Sequence, residues 1–202
     1  MPTLPSEGKI KHIGLSSVSS ATLRRAVKIA PVAAVQTEYS VFDRSIENSA
    51  GTDLLATCRE LGIAVVCATP LGRGILTATY ASGEAVGDKD ARGAVMPRFG
   101  KENREKNVPV VAQFKAVADK KGCTVAQLAL AWLLKQGEDI IPIPGTKKVK
   151  YLEENWDSLK LSLSDEEEAE IRELVGKLQI AGGSLPPAFE GFYLIDTKEE
   201  TA

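Results

Sequence analysis

Ile143-Pro144-Gly145-Thr146-Lys147-Lys148 follows directly on the apolar stretch Asp139-Ile140-Ile141-Pro142. The pair reads as a buried strand that ends in a tight glycine turn, bent at Gly145, and opens a helix. The first backbone N–H groups of a helix have no intrahelical partner and carry partial positive charge, which suits an anion. A threonine hydroxyl and two lysines at the same place add the groups that hold a phosphate. The alternative is a solvated helix face formed by Lys147, Lys148 and Lys150. A second anion loop is Leu71-Gly72-Arg73-Gly74, which follows the apolar run 63–68. Its glycines alone would serve a turn; Arg73 between them supplies charge.

Four short apolar runs, 12–16, 34–38, 63–68 and 140–143, have to position these loops. They are mostly continuous rather than alternating, as in parallel strands covered on both faces. Helical patterns lie between them. Ser19 or Ser20 caps one through Leu23, Ala26, Val27 and Ile29. Thr52-Asp53 opens another through Leu54, Leu55, Cys58 and Leu61, closed by Gly62. Thr124-Val125-Ala126-Gln127 has the form of a capping box before Leu128, Ala131, Trp132 and Leu134. Ser164-Asp165-Glu166-Glu167 caps a last amphipathic helix through Ile171, Leu174, Val175 and Leu178. Trp132 and Trp156 read as core residues. Strand–helix alternation predicts an α/β fold with a parallel sheet, and phosphate loops after the last strands are the habit of (β/α)8 barrels.

Two segments break the rhythm. Residues 77–108 form a long loop rich in Gly, Asp, Lys and Arg, the composition of a lid or a disordered segment. Arg92, Arg98 and Arg104 within it read as solvated. Residues 181–202 form a C-terminal tail in which Phe189, Phe192 and Tyr193 are expected to pack over a surface.

The chain has 202 residues, enough for one domain, 1–202, with residues 1–7 as an N-terminal extension. Its net charge of −2, from 25 basic and 27 acidic side chains, gives no general pull toward nucleic acid or acidic membranes. No apolar run approaches a membrane span, and residues 1–7 lack the charged and apolar regions of a signal peptide. Cys58, Cys67 and Cys123 stand far apart, which reads as free thiols in a reducing compartment, with no metal site. A cytoplasmic location is expected. His12, the only histidine, reads as a surface or strand-end residue.

Four motifs stand in order along the chain: Gly8-Lys9-Ile10-Lys11-His12-Ile13-Gly14-Leu15-Ser16, Val35-Gln36-Thr37-Glu38-Tyr39-Ser40, Thr69-Pro70-Leu71-Gly72-Arg73-Gly74, and Ile143-Pro144-Gly145-Thr146 with Leu152-Glu153-Glu154-Asn155. Together they resemble the aldo-keto reductase family, specifically its fungal pyridoxal-reductase-like branch. They look like the ends of the family's fifth to eighth barrel strands. The resemblance implies the C-terminal four βα units of a (β/α)8 barrel, a half-barrel with a C-terminal helix and tail. It implies NADP(H) as cofactor and a small-molecule carbonyl or alcohol as substrate. Ser16 matches the family residue that holds the nicotinamide carboxamide; Ser17 departs from the family's Asn. Gln36 matches the carboxamide-binding glutamine. Leu71, Gly72 and Arg73 match the loop around the pyrophosphate. Thr146 and Lys147 lie where the 2′-phosphate is held, and Glu154 and Asn155 where the adenine is held. Ala68 departs from the aromatic ring that stacks on nicotinamide in the family.

The family's chemistry rests on an Asp, Tyr, Lys and His that all come from its first four strands, and the resemblance begins at the fifth. Glu38 shares strand parity with Gln36, and Tyr39 is adjacent; these are the weak catalytic candidates within the chain. The resemblance implies NADP(H)-dependent carbonyl or alcohol redox chemistry. Two alternatives stand beside it: a non-catalytic NADP-binding subunit, and a repurposed non-redox enzyme such as an isomerase or dehydratase. Four strands taken from a barrel leave open edges and an apolar inner face. The expected partner is a second copy of the chain or a chain that carries the missing half.

Overall fold

The computed structural model describes residues 8–83, 91–191 and 193–198. Residues 1–7 and Phe192 lie outside the described residues. Four strands, β1 (Ile13–Ser16), β2 (Val32–Glu38), β3 (Ala64–Ala68) and β4 (Ile140–Pro142), pair in parallel in the order β1-β2-β3-β4. Helix α1 (Ser20–Ile29) links the first two strands and α2 (Leu54–Glu60) the next two. Between β3 and β4 lie α3 (Ala78–Ala81), α4 (Arg92–Val95), α5 (Lys101–Lys121) and α6 (Val125–Lys135). After β4 come α7 (Val149–Asp157), α8 (Asp165–Lys177) and α9 (Pro187–Glu190). Sequential, parallel, helix-linked strands are the wall of a βα barrel. Among the described residues the wall is open, so the chain is an α/β half-barrel made of four βα units.

The two sheet faces differ in what covers them. Val35, Val65, Cys67 and Ile140 face the helices and bury against Leu23, Leu54, Leu128 and Trp132. The opposite, inner face carries Gly14, Ser16, Ala34, Gln36, Glu38, Ala64, Val66 and Ala68, with Ile141 and Ile143 on the β4 side. The apolar runs look continuous because both faces carry apolar residues, among them Gly14, Ala34, Ala64, Val66, Ala68 and Ile141 on the inner one.

Of the four helix starts expected from the sequence, three follow local chemistry and one does not. Ser19 Oγ accepts from the Thr22 N–H, and both capping boxes, Thr124 with Gln127 and Ser164 with Glu167, are formed. The start of α2 is not side-chain capped: Thr52 and Asp53 are both left-handed, at φ +59° and +52°. Thr52 Oγ1 instead accepts from the Ser20 N–H at 2.9 Å, tying α2 to the start of α1.

Residues 77–108 are not a loop throughout. The segment holds α3, α4 and the first turns of α5, with 84–90 outside the described residues. Arg98 is buried with its Nε on the Gly182 carbonyl, and Arg104 is half-buried, so neither is freely solvated. Trp132 is fully buried, but Trp156 is 68% exposed and belongs to no core. The tail packs down as its composition suggests, although Phe189 stays exposed. Asn107 brackets Ala181, Ser184 Oγ donates to Glu38, and Tyr193 Oη meets Thr37 Oγ1 and accepts from the Glu38 N–H. Asp196 and Thr197 then reach Ser19 and Thr22 on the α1 side. Among the described residues no helix is long and apolar enough to cross a membrane.

Candidate functional site

A cleft of about 590 Å³ opens at the C-terminal ends of β3 and β4. The loop after β3 supplies Thr69, Pro70, Leu71, Arg73, Gly74 and Thr77. The segment after β4 supplies Ile143, Pro144, Gly145 and Thr146, and α7 supplies Tyr151, Glu154 and Asn155. Clefts outside the carboxyl ends of parallel strands are where α/β folds bind ligands. Of the residues singled out from the sequence, Leu71, Arg73, Gly145, Thr146, Glu154 and Asn155 line this cleft together. Gly72, Lys147, Ser16, Ser17 and Gln36 do not. Lys147 is exposed next to Thr146 at the cleft's edge. Ser16 and Gln36 are register partners on β1 and β2, and both are exposed on the inner face. Ser17 is left-handed at φ +51° just beyond β1, and its N–H donates to the Gln36 carbonyl at 2.8 Å.

The loop after β3 is held in an unusual backbone shape. Thr69 and Arg73 are both left-handed, at φ +50° and +59°. Non-glycine residues in that region cost on the order of 1–2 kcal/mol each and cluster at functional sites. Gly72, at φ +56°, is buried, and a Cβ there would lie 2.5 Å from Ile75 Cγ2. Its part is to let the chain turn. A Cβ on Gly74, at φ +98°, would strike the Arg92 guanidinium at 2.6 Å. Arg92 in turn donates from Nη1 to the Arg73 carbonyl and stacks 4.6 Å over the Phe99 ring. Arg92 is therefore a cleft residue rather than a solvated one.

Arg73 Nη2 donates to Glu38 Oε1 at 2.5 Å, and Ser184 donates to the other carboxylate oxygen at 2.9 Å. Glu38 thus joins the end of β2, the loop after β3 and the tail. Arg73 Nε is buried with no hydrogen-bond partner among the described residues. Leaving such a donor unpaired costs about 1–3 kcal/mol, so an anion beside it would be stabilised. Glu38 does face the inner side with Gln36, but it is already satisfied twice over. Tyr39 faces the other way. It is fully buried, donates to Glu47 Oε1 and packs edge-on to Trp132 at 5.9 Å. Burial, then the carboxylate of Glu47, pushes its phenol far above the ordinary tyrosine range. Tyr39 is removed as an acid for chemistry on the inner face.

The segment after β4 also departs from the expected shape. Helix α7 starts at Val149, not at Gly145, and Lys148 at its start makes no side-chain cap. Gly145 is not left-handed, and a Cβ there would meet nothing. Residues 143–148 are an open strap, steadied where Thr146 Oγ1 accepts from the Lys148 N–H at 3.2 Å. Tyr151, which no motif flagged, sits in the cleft wall with the ammonium groups of Lys148 and Lys150 at 5.6 and 5.8 Å from its ring. Its signal in the sequence is an aromatic flanked by the lysine run.

The sequence matches the aldo/keto reductase family over residues 1–175. The chain belongs to that family. It is 46% identical over 190 residues to "Aldo-keto reductase yakc [NADP(+)]" of Schizosaccharomyces pombe, covering 94% of the chain and 55% of that relative. It is 44% identical over 199 residues to "Aldo-keto reductase str7" of Strobilurus tenacellus, covering 98% of the chain and 58% of the relative. Among solved structures it is similar to the glycerol dehydrogenase AKR11B4 of Gluconobacter oxydans, with a TM-score of 0.75 and 27% identity. That match covers 91% of the chain and 54% of the dehydrogenase. This aldo/keto reductase chain therefore spans little more than half the length of the relatives it matches.

Among the described residues no group of His, Cys, Asp or Glu is placed to hold a metal. The cysteines are free, and burial raises the thiol pKa of Cys67 to about 12 and of Cys58 to about 11. A raised pKa keeps the thiol protonated, so at pH 8 the reactive thiolate of Cys67 is about one part in ten thousand. Native protein treated with a thiol-reactive dye at pH 8 is expected to label Cys58 and Cys67 only after urea is added. Rapid labelling of all three thiols without urea would contradict the burial described.

Proposed function

We propose that this chain forms the NADP(H)-binding side of a small-molecule carbonyl or alcohol oxidoreductase. The observation that carries the reading is the cleft itself: a glycine–arginine loop with an unpaired buried Arg73 N–H faces a strap of threonine and lysine across about 590 Å³. The residues present fit a dinucleotide. Leu71, Arg73 and Arg92 suit a pyrophosphate. Thr146 and Lys147 suit a ribose 2′-phosphate. Glu154, Asn155 and Tyr151 suit an adenine. Ser16 and Gln36, side by side on the inner face, suit a carboxamide. When bound, the nicotinamide supplies hydride. The name of the yeast relative, which carries NADP(+), supports the same cofactor.

Among the described residues Tyr39 is buried in the helix layer, the Tyr193 hydroxyl is engaged by Thr37 and the Glu38 N–H, and the Glu38 carboxylate is engaged by Arg73 and Ser184. On its own the chain is therefore expected to bind NADPH without turning over aldehydes or ketones. Titration followed by NADPH fluorescence tests the binding. Lys147→Ala should weaken NADPH by about tenfold, the loss of one charge-assisted contact of about 1.4 kcal/mol, and leave NADH nearly unchanged. Equal weakening of both would remove the 2′-phosphate assignment. A turnover assay separates the remaining readings. Cofactor-dependent reduction by the chain alone would make it a complete enzyme. Turnover indifferent to NADPH would make it a non-redox catalyst.

A further inference from the structure

We propose that Ser184, in the tail, is a positioning residue: by holding one oxygen of the Glu38 carboxylate it keeps Arg73 half-held and available to a phosphate of the dinucleotide. This control by the tail rests on the chain binding a nicotinamide dinucleotide in the cleft, and adds a residue that sets how well it does so.

The edge of a guanidinium that carries the Nε–H and one Nη2–H matches the two oxygens of a carboxylate, and a close Arg–carboxylate pair commonly forms both bonds. The Arg73–Glu38 pair forms one. Arg73 Nη2 donates to Glu38 Oε1 at 2.5 Å, while Nε on the same edge is enclosed and has no hydrogen-bond partner among the described residues. The second oxygen is occupied from elsewhere. Ser184 Oγ donates to Glu38 Oε2 at 2.9 Å, from a residue 146 positions along the chain. The tail thus takes the oxygen that would complete the pair. Glu38 is 6% exposed, so water competes little for that oxygen. Arg73 is less confined: its side chain keeps 28% exposure, and the residue lines the cleft.

A one-bond hold has a chemical consequence. A guanidinium closed on a carboxylate by two bonds is neutralised and fixed in plane, and offers little to a second anion. One held at a single nitrogen can turn about that bond, and its unmet N–H gains a partner when it does. A pyrophosphate oxygen in the cleft supplies that partner. The backbone stays put: the Arg92 guanidinium fixes the Arg73 carbonyl, so the movement lies in the side chain. Ser184 is not the tail's main fastening. Asn107 bonds to Ala181 both ways, at 2.7 and 3.0 Å, and the Arg98 N–H donates to the Gly183 carbonyl. Tyr193 is held at Thr37 and at the Glu38 N–H. Loss of the Ser184 hydroxyl therefore leaves the tail docked, which separates an effect on Arg73 from an effect on folding.

Nitrogen-15 NMR of the arginine Nε–H groups reads the pair without any cofactor, the Arg73 signal being the one lost in Arg73→Lys. In Ser184→Ala that signal is expected to move downfield, to the position of a carboxylate-bonded N–H. In Ser184→Thr, which keeps a hydroxyl, it should stay where the native chain has it. Titration followed by NADPH fluorescence reads the consequence. Ser184→Ala should weaken NADPH by about tenfold, and Ser184→Thr by less than about twofold. In a Glu38→Gln background no second carboxylate oxygen remains to capture Nε, so Ser184→Ala should there change affinity by less than about twofold. An Nε signal unmoved by Ser184→Ala, or an equal loss of NADPH affinity in both backgrounds, would overturn the proposal. A native chain that bound no NADPH would instead remove the dinucleotide assignment, and the nitrogen signal would still decide whether Ser184 governs Arg73.

Discussion

Gly182→Ala is expected to lower stability by about 2–5 kcal/mol and to detach the tail from the site. A Cβ at Gly182 would lie 2.6 Å from Asn103 Nδ2, 2.7 Å from the Arg98 backbone nitrogen and 2.8 Å from the Pro97 carbonyl carbon. Two of these neighbours are backbone and cannot swing aside. The residue is also left-handed at φ +82°, which costs an L-residue about 1–2 kcal/mol, and overpacking adds about 1–3 kcal/mol. The effect reaches the cleft by a short route. The Arg98 N–H donates to the Gly183 carbonyl, and Ser184 holds the Glu38 carboxylate that anchors Arg73. Calorimetry should show the midpoint falling by roughly 4–20 °C, at about 2–4 °C per kcal/mol for a chain of this size. Limited proteolysis should cut the tail sooner, and NADPH should bind more weakly. An unchanged midpoint with an uncut tail would mean that the turn at Gly182 is not pinned as described.

Trp132→Ala is expected to cost about 3–5 kcal/mol, the range for deleting a buried aromatic. Trp132 is fully buried where the helices meet the sheet. Tyr39 packs edge-on to it, and the Arg172 guanidinium lies 5.2 Å over its ring. Arg172 also donates to Glu47 at 2.6 Å, to Glu168 at 2.9 Å and to Gln136 at 2.7 Å. Glu47 in turn accepts from the Tyr39 hydroxyl. Removing the indole therefore empties a core position and loosens the network that orients Tyr39, the residue next to Glu38. Urea denaturation should show the midpoint falling with little change in slope. Trp132→Phe should recover part of the loss. A shift under about 1 kcal/mol for the alanine variant would show that the indole is not a packed part of the core.

The elements themselves were legible. All four strands and the helices with Ser, Thr and capping-box starts are read from patterns a few residues long, because apolar periodicity and cap hydrogen bonds are local. Helix α5 was not, for Pro109 inside it breaks the local pattern. Trp156 was misread because its stripe repeats at helical spacing, as a core stripe does. Periodicity records that a helix has an apolar face, and it does not record whether anything covers that face.

The cleft was legible in part. Leu71, Arg73, Thr146, Glu154 and Asn155 were named through the family resemblance, and the fold brings them together. The shape of the strap at Gly145 and the buried places of Arg92 and Arg98 were not. Those depend on contacts such as Arg92 with Arg73, 19 positions apart, and Arg98 with Gly182, 84 positions apart.

By itself, then, the sequence determined the parallel α/β class, the order of the βα units, the family and the two loops whose residue types suit an anion. These follow from residue type and near-neighbour spacing, where backbone geometry leaves few choices. Tertiary structure alone decided that Tyr39 turns into the helix layer, that Glu38 is clamped between Arg73 and Ser184, and that α7 leaves an apolar side uncovered. Each of those outcomes is a choice among partners far apart in the chain. That choice is made by packing and by the need to satisfy buried polar groups, which no local window contains.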